Sequence, residues 1–319
     1  MIKALLKKIA ARIFKKELNG LYTISAAYQQ AIEAKNSSWR QSDLSCHGIV
    51  FSKDRAMQLH ALLSSYFSTV KKPAPLTILY TTSSERHEHS YKELRLLFAN
   101  RAVTFYKERS FKKDVEQIVT NVNVQTIFFM TDDGLFIDSF DMDEIAGFNP
   151  LKIVPTLIKG LDLTYCYIQN KQQDLPEFIQ PDQLHLSANM KCWEWGNAIP
   201  GSDWAYPLSL DTTFYNRSEL VLLLQQIQYK GPNSLESSLH NNYHSVFLKR
   251  KGICYSKAKY VNIVCNVVNS EHDNRNTGLH SVESLLEKWE AGYKINIEEF
   301  AGLSCVEAET KLFSFLKRN

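Results

Sequence analysis

An α/β protein is what this 319-residue sequence predicts. A mostly parallel central sheet carries helices on both faces, and an amphipathic helix precedes it. Three observations predict this architecture. Between residues 46 and 131, four short apolar runs alternate with three helix-patterned segments, as in a parallel sheet wound by helices. Residues 1–16 hold six basic residues and no acid on a helical repeat. Hydrophobic residues make up 44% and charged residues 22%, which supports a real core and excludes a mainly disordered chain.

The first element is MIKALLKKIAARIFKKEL. Ile2, Leu5, Leu6, Ile9, Ile13 and Phe14 recur at spacings of three and four, while Lys3, Lys7, Lys8, Arg12, Lys15 and Lys16 fall largely elsewhere. Two readings stay open. Residues 1–18 lie on an anionic membrane surface, or the helix packs on its own domain with its lysines solvated. Asn19-Gly20 is the expected stop. Residues 1–20 thus form a basic arm, residues 21–45 a polar helical linker, and residues 46–319 a single domain.

Within that domain HGIVFS reads as a strand and SKDRAMQLHALLSSYF as the helix after it. KKPAP is a loop, LTILYTT a second strand, SERHEHSYKELRLLFAN a second helix and AVTFYK a third strand. FKKDVEQIVTNV is a third helix and TIFFMT a fourth strand. Beyond residue 150 the pattern loosens. An aromatic stretch, KCWEWGNAIPGSDWAYPLSLDTTFY, precedes the leucine-rich helix SELVLLLQQIQ. GPNSLESSLH opens a further helix, a strand pair is expected around 253–268, and a charged helical stretch ends the chain.

Charge and cysteine usage narrow the function. Without the six bases of the arm, 31 basic residues face 34 acidic ones, which argues against a nucleic-acid binder. Cys46, Cys166, Cys192, Cys254, Cys265 and Cys305 form no C-x-x-C pair, so zinc-ribbon and redox motifs are disfavoured and a reducing cytosol is expected. No stretch approaches a membrane span, and Lys7, Lys8 and Arg12 interrupt any secretory signal.

The fourth strand runs straight into Asp132 and Asp133. In a parallel sheet ligands meet the carboxyl ends of the strands, so two acids there invite chemistry. A hard divalent cation is one reading, with Asp133 reaching the metal and Asp132 facing a ribose or sharing the coordination. A plain strand-end turn at Asp133-Gly134 is the other. FFMTDDGLFIDS also resembles the D-x-D-G-T segment of haloacid-dehalogenase-type phosphatases, but Thr131 stands where the aspartate nucleophile belongs.

Taken in order, IVFSKDRAMQLHALLSSY, LTILYTTSSE, FFMTDD, DWAYPLSLDTTFYNRSEL, GPNSLESSLH and VNIVCNVVNSEHDNRNTGLHSVESLLEKWEAGYKI resemble a bacterial GT-A-type glycosyltransferase of surface-polysaccharide assembly. The resemblance covers residues 46 to about 300. It implies a nucleotide half over 46–150 and an acceptor half over 151–319. It also implies a nucleotide-diphosphate-sugar donor, Mn²⁺ or Mg²⁺, and a hydroxyl acceptor on a glycan or lipid-linked glycan. The protein would then sit at the inner face of the inner membrane. FFMTDD takes the place of the metal-binding D-x-D, and Thr131 replaces its first acid.

The residue roles follow, each beside a plainer one. Ser52, Lys53, Asp54 and Arg55 border the nucleotide base and diphosphate, with Arg55 on phosphate; alternatively Ser52 or Asp54 caps the next helix. Thr81 and Thr82 line the same edge or form a solvated turn. Glu236 is the candidate base for the acceptor hydroxyl, or a capping-box acid with Asn233. Asp211 and Glu194 are rival bases. Trp193, Trp195, Trp204 and Tyr206, with Glu194, form an acceptor platform or simply core. His272 is a further candidate metal contact. A nucleotide-sugar-binding protein without catalysis is the alternative of another class.

Overall fold

The computed structural model describes residues 45–167, 169–181, 186–266, 268 and 278–318. The arm and linker expected over residues 1–45, save residue 45, lie outside the described residues, as does His272.

The predicted alternation is present. It runs β1 (Cys46–Lys53), α1 (Ala56–Thr69), β2 (Leu76–Thr81), α2 (Glu85–Leu97), β3 (Val103–Lys107), α3 (Phe111–Asn121) and β4 (Thr126–Thr131). The four strands are parallel in the order β3-β2-β1-β4, and Phe214–Asn216 adds an antiparallel fifth strand beyond β4. β1 and β4 read as nearly unbroken apolar runs because a central parallel strand is covered on both faces. Gly48 is needed in β1: a Cβ there would lie 2.4 Å from Leu76 and 2.7 Å from Phe128.

Right-handed crossovers place α1 and α2 on one face and α3 on the other, since the chain steps outward twice and then returns past β1. α1 packs on α2, and α3 packs on α4 (Arg217–Gln226). On α3, Phe111, Val115, Ile118 and Val119 are buried. Each such side chain contributes roughly 1.5–3 kcal/mol by leaving water.

Strand order reverses between β1 and β4, so the loops after these two strands flank one crevice at the carboxyl edge. Those loops are Asp54-Arg55 and Asp132-Asp133.

The later part of the chain builds a second, four-stranded sheet from Phe178–Ile179, Met190–Glu194, Lys251–Tyr255 and Ile153–Pro155. The strand pair expected at 253–268 is not a pair. Lys251–Tyr255 joins this sheet, whereas Tyr260–Asn262 lies antiparallel to Gly134–Phe136. The reason is local. Gly134 leaves room for the Tyr260 ring, whose hydroxyl oxygen would sit 1.8 Å from a Cβ at that position. The chain after the acidic turn is thereby held to this later strand. Helix α5 (Pro232–Phe247) follows α4 and presents Glu236 in its second turn.

Candidate active site

The acidic turn is built from β1 and β4 together. Asp132 Oδ2 accepts from Ser52 Oγ at 2.9 Å and from the Lys53 backbone N–H at 3.1 Å. Its Oδ1 accepts from Arg55 Nη1 at 2.9 Å. The same Nη1 donates to Asp133 Oδ2 at 3.1 Å, and Nη2 donates to the Asn266 carbonyl. Ser52 Oγ is further hydrogen-bonded to the Tyr91 hydroxyl, which also accepts from the Arg55 N–H at 3.3 Å. Burial pushes the Asp132 carboxyl up to about 6, with Arg55 opposing the shift. Burial likewise works against the Arg55 charge, and the two carboxylates more than offset it.

These contacts set the Asp132 carboxylate among protein donors, whereas the expectation put it on metal or ribose. Asp132 is 4% exposed and both of its oxygens are already engaged, so it is a buried anchor. Asp133 differs. Its Oδ1 is buried and has no hydrogen-bond partner, which costs free energy unless a cation or donor meets it. The expected helix caps are also absent: neither Ser52 nor Asp54 caps α1. Asp54, at φ 57°, accepts from the Ser83 N–H at 2.7 Å instead. Lys53 is exposed. Thr81 takes the Asp54 N–H on its carbonyl, and Thr82 donates to Glu88 at 3.0 Å.

A second row of carboxylates continues from Asp133. Thr131, which replaces the expected first acid, donates its hydroxyl to Asp211 Oδ1 at 3.0 Å. The Asn262 side chain near Asp211 favours its ionised form. Burial first, and then the Asp133 charge, raises the Asp211 carboxyl to about 6. Glu236 comes next. Its Oε1 accepts from the Tyr206 hydroxyl at 3.1 Å, and its Oε2 from the Leu210 N–H at 2.7 Å. Burial, followed by the Asp211 charge, lifts Glu236 to about 7. Asn233 and Glu236 therefore form no capping box; Ser234 Oγ takes the Gly231 N–H at the start of α5, at 3.0 Å. Lys159, 3% exposed, is the cation facing this row, and burial pulls its own pKa down.

The tryptophan platform is not formed. Trp193, Trp195 and Trp204 are each 0% exposed. Trp193 packs edge-on against both of the others, at 4.6 and 5.1 Å between centroids. The indole N–H of Trp193 is given to the Trp204 carbonyl, and that of Trp204 to Leu163. They are the core of the second sheet. Glu194 is exposed on the other side of its strand and accepts from Asn197 at 2.9 Å. Tyr206 is half-buried and, through its hydroxyl, belongs to the Glu236 group.

Among the described residues no group of three or more histidine, cysteine or acidic side chains is arranged to hold a metal ion. The fit is instead to a cation held by one or two carboxylates and completed by phosphate oxygens and water, as Mg²⁺ is commonly bound. Asp133 supplies an unpartnered oxygen and Asp211 a second carboxylate close enough to feel its charge. Tyr91, Lys159 and Asn262 were not foreseen. Each sits in an unremarkable helix, turn or strand, and only tertiary packing brings it to the acids.

No family profile matches the chain. Over 199 residues it is 26% identical to the "Bifunctional glycosyltransferase pgtA" of Dictyostelium discoideum, an alignment covering 57% of this chain and 25% of that protein. The chain thus spans about a quarter of that curated relative. Among solved structures, S. aureus TarS 1–349 in complex with UDP is similar at a TM-score of 0.41 and 13% identity, over 68% of this chain and 59% of that one. GalNAc-T7 with UDP, GalNAc and Mn2+ is similar at a TM-score of 0.40 and 10% identity, over 76% and 47%. At TM-scores below 0.5 these likenesses carry no weight for the chemistry.

Proposed function

We propose that this chain is a metal-assisted glycosyltransferase that moves a sugar from a nucleotide diphosphate to a hydroxyl acceptor. The observation that carries the reading is the carboxylate row Asp133–Asp211–Glu236 beside the crevice where the strand order reverses. The partial similarity to a curated glycosyltransferase supports the reaction class. In this reading Asp133, helped by Asp211, holds Mn²⁺ or Mg²⁺. When bound, such a cation neutralises the charge that grows on a departing diphosphate.

The chain's own residues do the rest. Ser52, itself held by Tyr91, and the Lys53 N–H fix Asp132, and Asp132 holds the guanidinium of Arg55 at the crevice. Glu236 takes the proton from the acceptor hydroxyl. A carboxyl raised to about 7 is well matched to a base working near neutral pH. Tyr206 and the Leu210 N–H aim its two oxygens and leave each a further lone pair. The acceptor in this proposal is a glycan or lipid-linked glycan. The basic residues of the arm support a site of action at an anionic membrane surface.

The test is donor hydrolysis, the leak that transferases show without acceptor. Purified protein is incubated with UDP-, GDP- and dTDP-sugars and Mn²⁺, and released nucleotide and sugar are measured. The proposal expects release with at least one donor and its loss on chelation. A protein that binds a donor but never cleaves it would be a binding protein. Release of inorganic phosphate from generic phosphoesters would indicate a phosphatase.

A further inference from the structure

We propose that Arg55 is a built-in counter-ion with which a divalent cation must compete, so that metal enters tightly only when a nucleotide diphosphate takes over the guanidinium. The inference rests on the metal-assisted reading above. Arg55 is 7% exposed and a single Nη1 spans both acids, at 2.9 Å to Asp132 and 3.1 Å to Asp133. Both oxygens of Asp132 already accept hydrogen bonds, so Asp133 is the more open of the two acids, and Arg55 offsets its charge. A cation arriving at the unpartnered Asp133 Oδ1 meets a fixed positive charge on the other oxygen of the same carboxylate. Two like charges that close repel strongly in a buried setting.

To move, the guanidinium gives up its bonds to the two acids and the Nη2 bond to the Asn266 carbonyl. Its Nε is buried without a partner, so the side chain is not fully satisfied where it lies. Arg55 follows directly on the β1 loop, at the carboxyl edge where the strand order reverses. A planar guanidinium pairs bidentately with phosphate oxygens. A diphosphate in the crevice offers it a better partner than a shared carboxylate. Once Arg55 turns, the negative charge of Asp133 is no longer offset and lies open to the cation. Diphosphate and metal then favour each other's binding by the same factor.

The test is titration of Mn²⁺ into the full chain, followed by the paramagnetic signal of free Mn²⁺, with and without UDP. Arg55→Gln should bind Mn²⁺ alone about tenfold more tightly than wild type or better. In wild type UDP should tighten Mn²⁺ binding, and in Arg55→Gln that gain should largely vanish. Arg55→Lys keeps a charge on the buried acids but loses the second nitrogen that holds the Asn266 carbonyl, so its Mn²⁺ affinity should lie between the two. If Arg55→Gln does not fold, Arg55→Lys decides on the same scale. Unchanged or weaker Mn²⁺ binding in the folded variants overturns the proposal. If wild type still hydrolyses donor with Mn²⁺ in that case, the transferase reading stands without it. If no variant binds Mn²⁺ with or without UDP, both fall.

Discussion

Replacing Glu236 by glutamine should make the protein more stable and nearly inactive, a combination that few roles other than a buried base produce. Burial and the Asp211 charge raise this carboxyl from 4.5 to about 7. Between those two values the folded protein holds more protons than the unfolded chain. Stability therefore falls as pH rises through that window, and above pH 7 the ionised group costs on the order of 3 kcal/mol. Glutamine removes the charge but keeps both contacts, since its oxygen accepts from the Leu210 N–H and its amide donates to the Tyr206 oxygen. At pH 8 the variant should unfold several degrees higher than wild type, and the difference should disappear at pH 4. Transfer should drop by roughly 10²–10⁴-fold. In wild type, kcat/KM should fall about tenfold per pH unit below 7 and level off above it. Thermal unfolding and a donor-release assay from pH 4.5 to 8.5 read both effects. Full activity of Glu236→Gln, or a flat wild-type profile across pH 7, would refute the assignment.

Other consequences are simpler to check. Gly134→Ala places a Cβ 1.8 Å from the buried Tyr260 hydroxyl, so it should cost at least about 1–3 kcal/mol in urea unfolding and loosen the acidic turn. Wild-type stability would mean that this approach is not tight. Glu219→Gln breaks the buried ion pair with Arg250, whose charge is then uncompensated, and should cost about 3–5 kcal/mol; a loss below 1 kcal/mol would show that the pair is dispensable. Changing Lys7, Lys8, Arg12, Lys15 and Lys16 to glutamate should release the chain from anionic liposomes in a flotation assay. Undiminished flotation would make the arm a packing element.

Much of the parallel-sheet architecture was legible because it is written in local patterns. Runs such as IVF and IFFM are apolar throughout, as suits parallel strands covered on both faces, and the helices between them carry apolar stripes. The strand ends followed from that, and with them the acidic turn. The second sheet was not legible. Its strands, of two to five residues, pair across long stretches of sequence, and no local period encodes such partners. The tryptophans misled for a related reason. An indole is equally suited to a sugar face and to a core, and only the packing of Trp193 between Trp195 and Trp204 decides. Asp132 and Asp133 look equivalent as letters. Their difference arises from Ser52 and Arg55, some 80 residues away, which engage both oxygens of one acid and leave an oxygen of the other unpartnered.

The most direct measurement is Mn²⁺-dependent donor cleavage by wild type and Asp133→Asn, with Mn²⁺ affinity determined on the same samples. The account predicts that the variant folds, loses tight Mn²⁺ binding in the presence of UDP, and cleaves donor at least about 10²-fold more slowly. Wild-type cleavage together with wild-type Mn²⁺ affinity in Asp133→Asn would contradict it.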